Sequence, residues 1–245
     1  MTSTSTAQGL ILAIETATPT ARVAVLDRDG VLRATAEETA ARHSANLLKL
    51  CDQVLGEAGV TPAALSAIAC GAGPGSFTGL RVGLAVGKGL ALPTARPFVL
   101  VSSLAALALD ILGATAGEAD VVAAPCIDAG KGQIYAAFFR ADAQRLVAPI
   151  GEEWVLDPAG IAPAASARGE LRVAGNGAVR YGDVIDAALA KNRPRARRID
   201  VAGPSAVSVG RLALLRLARG ESDDLATAAP SYGRPPDITQ PRRRD

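Results

Sequence analysis

The sequence predicts an α/β protein built as two stacked domains, and three observations carry that prediction. The chain has 245 residues, which at about 100 to 150 residues per domain leaves room for one large unit or two small ones. Hydrophobic residues make up 49%, enough for a full core without disulfides or metal. Above all, an order of three strands followed by alternating helix and strand starts near residue 10 and begins again near residue 121.

Residues 10–15 (LILAIE) are a short apolar run ahead of a Thr/Pro segment, as a buried strand requires. Residues 21–26 (ARVAVL) are a second strand, and the turn Asp27-Arg28-Asp29-Gly30 folds it back onto residues 31–37 as a hairpin. A helix over 44–58 follows from Leu47, Leu48, Cys51, Val54, Leu55 and Ala58, which recur at three- and four-residue intervals. Thr61-Pro62 caps a short helix. A strand at 65–70 runs into the Gly-rich GAGPGS, a helix spans 76–92, a strand 96–101, and Ser102 or Ser103 caps a helix over 104–112.

The second half predicts a strand at 121–128, the turn Asp128-Ala129-Gly130-Lys131-Gly132, a partner strand at 134–140 and a third near 146–155. Helices near 158–166 and 178–190 flank a strand at 171–174, and a last helix over 205–218 is closed by Gly220. Residues 1–9 read as a disordered polar leader, 10–112 and 113–227 as the two domains, and 228–245 as an extended basic tail. This element order resembles the layout of the actin-like (ASKHA) superfamily.

Composition excludes several classes of function. A net charge of +2 gives no general drive toward nucleic acid or anionic membrane, and 3% aromatics leave few platforms for stacking bases. Cys51, Cys70 and Cys126 stand far apart in apolar surroundings without any CxxC, and read as reduced core residues. With His43 as the single histidine, a zinc site lacks ligands, so no metal is expected. The leader has no basic residue before its apolar run, and no stretch reaches the roughly 18 to 20 residues of a membrane span. The expected location is the cytoplasm.

The most informative stretch is GAGPGSFTGLRVGLAVGKGLAL, residues 71–92. Gly79, Gly83 and Gly87 stand four residues apart and form one bare stripe along a helix. Each costs roughly 1 kcal/mol against Ala in a helix interior. Close approach of another backbone is the natural compensation, either within the chain or from a second protein. Ahead of the helix, Gly73-Pro74-Gly75-Ser76 either cradles a phosphate or is a tight turn with Ser76 or Thr78 as cap; no Lys-Ser/Thr follows at Walker spacing.

HSANLLKLCDQVL, GAGPGSFTGLRVGLAVGKGLAL and VSSLAALA together resemble the bacterial TsaB (YeaZ) family, and the likeness continues through IDAGKGQIYAAFF, VAGNG and APSYGR. The resemblance implies an actin-like fold and a non-catalytic subunit in the formation of threonylcarbamoyladenosine in tRNA. It implies pairing with the catalytic paralogue TsaD, recruitment of the ATPase TsaE by that pair, a homodimer when alone, and only indirect contact with tRNA. The family's pairing helices match residues 44–58 and 76–92, which makes His43, Leu47, Cys51, Ser76, Thr78, Gly79, Arg81, Val82, Gly83, Val86 and Gly87 the expected partner-binding residues. On that reading the glycine stripe faces the partner.

No catalytic residue is expected. The active paralogue's His-x-x-x-His pair is missing, because Leu47 stands four residues after His43. Phosphotransferases of the superfamily use an acidic, Gly-containing turn after the first strand; here it reads Glu15-Thr16-Ala17-Thr18-Pro19, with Ala17 in place of Gly. The second turn keeps Asp128 and Gly130, as a Mg²⁺-holding phosphate loop or as a plain hairpin turn. Gly175-Asn176-Gly177 either edges an adenine pocket or links a strand to a helix. Asp128, Gly130, Gly175 and Gly177 are therefore candidates for weak ATP or ADP contact without turnover, and an ATP-dependent phosphotransferase is the alternative reading. Neither GxSxG nor HExxH occurs. Lys191, Arg193, Arg195, Arg197 and Arg198, with Arg242, Arg243 and Arg244, hold the positive excess as tRNA contacts or as a solvated loop and tail.

Overall fold

The computed structural model describes residues 9–39, 43–142, 147–164, 169–192 and 195–233, with residues 43–45 described by their backbone alone. Residues 1–8 of the expected leader, Arg193 and Arg242 to Arg244 lie outside the described residues.

Strands β1 (Leu10–Glu15), β2 (Thr20–Leu26) and β3 (Leu32–Thr39) form the expected meander. Helix α1 (His43–Glu57) follows, then β4 (Leu65–Gly73), α2 (Phe77–Ala91), β5 (Phe98–Ser102) and α3 (Ser103–Ala114). The sheet order is β3-β2-β1-β4-β5, antiparallel from β3 to β1 and parallel from β1 to β5. Strand β1 is central and buried on both faces, which is why its sequence is a continuous apolar run rather than an alternation. At the edge, β3 alternates toward polar residues, and Arg22 Nε donates to Glu37 across the β2–β3 ladder at 2.8 Å.

The second sheet repeats that plan. Strand β6 (Val121–Gly130) pairs antiparallel with β7 (Gln133–Ala136) and, in unchanged register, with β8 (Phe139–Ala141). The strand expected at 134–140 is thus one strand interrupted near Ala137. Likewise β9 (Val147–Pro149) and β10 (Trp154–Leu156) share the third place in the meander, against β8 and β7. After the short α4 (Ile161–Ala164), β11 (Glu170–Ala174) lies parallel to β6. Helices α5 (Asn176–Arg180) and α6 (Gly182–Asn192) replace the single helix expected at 178–190, broken at Tyr181. Strand β12 (Arg197–Arg198) closes the sheet parallel to β11, in a stretch expected to be loop. Five positions in each sheet therefore follow one order, three antiparallel and then two parallel.

Helix α3 lies between the sheets. Leu104, Leu107, Ala108 and Ile111 are fully buried and share a cluster with Ala123, Ile127, Tyr135 and Phe139 of the second sheet. The last helix, α7 (Ala206–Ala218), corrects an expectation: it lies on the first sheet, although its sequence position put it with residues 113–227. Ala206, Val209 and Ala213 pack with Ile11, Ala13, Ala24 and Leu26. A Cβ at Gly210 would lie 2.6 Å from Leu26 Cδ1, so the helix sits close to the sheet. Asp110 of α3 ties its first turn down, accepting Ser205 N–H (2.8 Å), Ser205 Oγ–H (2.7 Å) and Ser208 Oγ–H (2.6 Å). Among the described residues no helix is long and apolar enough to cross a membrane.

Candidate functional site

The β1–β2 turn, the first turn that the sequence reading weighed for phosphate, is covered. Glu15, Thr16, Ala17 and Thr18 are all buried. Helix α2 and the loop before it lie directly on them. A Cβ at Gly75 would clash with the Ala17 carbonyl, one at Gly79 with the Thr16 carbonyl, and one at Gly83 with Thr16 Oγ1. Ser76 N–H donates to the Ala17 carbonyl at 2.8 Å, and Ser76 Oγ caps the helix by accepting Gly79 N–H at 3.2 Å.

The expectation that Gly79, Gly83 and Gly87 face a partner is therefore corrected. All three are buried, and the stripe makes room for this chain's own turn and sheet. Gly87 faces β4 and β5, where a Cβ would clash with Cys70 Sγ and lie 3.1 Å from Phe98 Cε2. Leu47 and Cys51 are corrected too: both are 1% exposed and pack, with Val54, in the core cluster under α1. His43 opens α1, and its side chain lies outside the described residues. The remaining expected residues sit on the other side of α2. Thr78 and Arg81 are exposed, Ser76 is half-buried as the cap, and Val82 and Val86 are half-buried where α2 meets α1. Ala85 and Gly89 of α2 are exposed with them, and Leu48 on α1 is half-exposed; the sequence reading gave none of these three a partner-binding role.

Beneath the turn lies a polar network that sequence reasoning missed. Glu15 is fully buried; its Oε1 accepts Ala17 N–H (2.7 Å) and its Oε2 accepts the Ser103 hydroxyl (2.8 Å). Ser103 Oγ in turn accepts Gly73 N–H at 3.2 Å. Burial raises the Glu15 carboxyl from its ordinary 4.5 to about 7, against the pull of those hydrogen bonds and of Arg22. The acid at the strand end was visible in the sequence; the serine 88 residues later was not.

The candidate nucleotide contacts are also engaged internally. Asp128 Oδ2 pairs with Arg180 Nη1 at 2.7 Å, and its Oδ1 accepts Gly130 N–H at 3.0 Å and the Tyr181 hydroxyl at 3.1 Å. Gly130 and Gly132 have φ of +69° and +79°, the conformation of a hairpin turn between β6 and β7. A Cβ at Gly175 would clash with the Cys126 carbonyl and lie 2.7 Å from Leu107, and one at Gly177 would lie 3.0 Å from Ile134 and 3.1 Å from Asp128 N. Both glycines permit close packing at the end of β11. Among the described residues no three His, Cys, Asp or Glu side chains are grouped to hold a metal. Cys51, Cys70 and Cys126 are free and buried, and burial pushes the Cys51 thiol up to about 12.

Three of the four described residues of the basic cluster meet a carboxylate. Arg197 pairs with Glu118 at 2.8 Å, Arg198 with Asp186 at 2.5 Å, and Arg195 reaches Glu170 at 4.0 Å. Arg172, almost fully buried, binds both Glu118 and Glu170.

Comparison with known proteins fits this geometry. The family model described as TsaD, tRNA N6-adenosine threonylcarbamoyltransferase, matches residues 34–168. YeaZ from Pseudomonas aeruginosa is 32% identical, with a TM-score of 0.77 over 92% of this chain and 100% of that one. The chain belongs to the TsaB/YeaZ family. The tRNA threonylcarbamoyladenosine biosynthesis protein TsaB of Escherichia coli (strain K12) is 37% identical over 132 residues, 54% of this chain. This chain spans about half the length of such curated relatives, 55% in that case. Component A of the (R)-2-hydroxyglutaryl-CoA dehydratase of Acidaminococcus fermentans, 8% identical at a TM-score of 0.54, shares the fold alone, which is actin-like.

Two outcomes test the closed turn. Gly83→Leu is expected to destabilise the isolated chain by about 3 kcal/mol or more, through overpacking against Thr16; urea unfolding near wild-type stability would contradict an inward stripe. Glu15 is protonated in the folded chain and ionised in the unfolded one between pH 4.5 and about 7. Stability therefore falls as pH rises through that window, by on the order of 3 kcal/mol. Glu15→Gln should flatten that slope in urea unfolding at pH 5 and pH 8, and equal slopes would contradict the assignment.

Proposed function

We propose that this chain is a non-catalytic subunit in the formation of threonylcarbamoyladenosine in tRNA, and that it binds and activates a TsaD-type catalytic paralogue. One observation carries the non-catalytic part: the turn that would receive phosphate is filled by the chain's own α2 and the loop before it, through Gly75, Gly79 and Gly83. A phosphotransferase needs that turn open, and it needs Asp128 free for a metal, whereas Asp128 is held by Arg180. The Escherichia coli relative, a tRNA threonylcarbamoyladenosine biosynthesis protein, supports the pathway.

The docking face in this proposal is the outer side of α2, with Thr78, Arg81, Ala85 and Gly89, bordered by Val82, Val86 and Leu48 of α1. Small exposed residues at 85 and 89 let a partner helix approach closely, as the buried glycines do on the other side. The same face serves a homodimer when the catalytic paralogue is absent. A TsaE-type ATPase joins the assembled pair, tRNA is reached through the complex, and the work is done in the cytoplasm. Activation is a shift of the paralogue's population toward its active state, by as much as this chain binds that state more tightly.

The test is reconstitution. With the TsaD-type paralogue, a TsaE-type ATPase, its substrates and tRNA, this chain is expected to raise tRNA modification by about tenfold or more, which is at least 1.4 kcal/mol of coupling. The chain alone should release no phosphate from ATP. Unchanged modification on adding it, or ATP turnover by the lone chain that Asp128→Ala abolishes, would overturn the reading in favour of a phosphotransferase.

A further inference from the structure

The segment after α7 returns across the molecule instead of leaving it. Asp223 N–H donates to the Phe98 carbonyl on the edge of the first sheet (2.7 Å), and its carboxylate accepts Leu100 N–H (2.7 Å) and Arg216 Nη1 (2.8 Å). Further on, Ser231 N–H donates to the Ala72 carbonyl at the end of β4 (2.7 Å). Tyr232 then bridges the two halves. Its carbonyl accepts the Tyr135 hydroxyl from β7 of the second sheet (3.0 Å). Its ring packs on Phe77 in the first turn of α2, with centroids 4.8 Å apart, and its hydroxyl accepts Arg81 Nε–H (3.0 Å). Gly233 completes the fit at φ +61°, where a Cβ would lie 2.6 Å from Tyr135 and 3.1 Å from Pro74.

Arg81 is consequently held twice, by Tyr232 and by the Phe77 ring, 4.0 Å below its guanidinium carbon. Its terminal nitrogens have no carboxylate partner among the described residues. A guanidinium fixed at its Nε and stacked on a ring has little freedom left to lose on binding, and its planar fork suits a carboxylate.

We propose that residues 231–233 are a latch joining α2 to the second sheet, and that Tyr232 is a positioning residue that holds Arg81 ready for an acidic side chain of the docking partner. This rests on the docking reading above. A carboxylate is favoured over a nucleic-acid phosphate because Arg81 shares its exposed face with Ala85 and Gly89, which suit a protein helix.

The experiment measures binding of the purified catalytic paralogue to the full chain by titration calorimetry, for wild type, Tyr232→Ala, Tyr232→Phe, Arg81→Ala and the double alanine variant. Arg81→Ala should weaken binding about tenfold or more, Tyr232→Ala nearly as much, and Tyr232→Phe less, since it keeps the ring against Phe77 and loses only the hydroxyl. The double variant should lie within about threefold of Arg81→Ala, because Tyr232 acts through Arg81. Wild-type affinity in Tyr232→Ala, or in Tyr232→Phe if the alanine variant does not fold, would overturn the proposal. So would losses that multiply in the double variant, or a loss of tRNA retention with pairing intact. If the wild-type chain itself does not pair with the paralogue, the docking reading fails. The latch is then judged by hydrogen exchange of the lone chain: Tyr232→Phe should speed exchange at residues 77–81, Tyr232→Ala there and at 133–136, and unchanged rates would overturn it.

Discussion

Helix α2 and the loop before it lie on the β1–β2 turn at a distance that a side chain at Gly75, Gly79 or Gly83 would forbid. Much else follows from that approach. Three interior glycines at 79, 83 and 87 weaken the helix by about 3 kcal/mol relative to alanines, and the contact they permit is what offsets that. The turn beneath loses access to water, which buries Glu15 and obliges the Ser103 hydroxyl and the Ala17 N–H to satisfy it. Since the glycine side of α2 is spent inside the molecule, any partner must use the opposite side. The helix is a two-sided element: its bare face covers the β1–β2 turn, and its outer face, with Thr78, Arg81, Ala85 and Gly89, is exposed.

The second half shows the same principle by other means. Its hairpin turn keeps the acid, Asp128, but Arg180 and Tyr181 from the break between α5 and α6 occupy both oxygens. Both turns that the sequence reading offered for phosphate are thus engaged by residues of this chain. Helix α3 and the residues after α7 hold the halves together around those turns, the first through an apolar cluster and the second through Tyr232.

Much of the fold was legible because it depends on local periodicity. The run at residues 10–15, the helix over residues 44–58 and the repeat near residue 121 needed only side-chain spacing to be read. The glycine stripe was legible as a close approach but not as an internal one, since periodicity fixes which residues share a face and says nothing of what lies opposite. Leu47 and Cys51 failed for the same reason. Arg197 and Arg198 looked like free charge because their partners, Glu118 and Asp186, come from distant segments. Tyr232 left a faint signal, one of only three tyrosines, standing in a Pro-rich tail. Nothing in the sequence announced that Arg180 would cover Asp128, which lies 52 residues earlier.

The central claim is that the two sides of α2 have separate duties, and Ala85 tests it most directly, being exposed on the helix side away from the turn. Ala85→Arg should leave the melting temperature of the lone chain within about 2 °C of wild type, as exposed substitutions usually do, while pairing with the catalytic paralogue in size-exclusion chromatography is lost. Wild-type pairing by a folded Ala85→Arg chain would contradict the account.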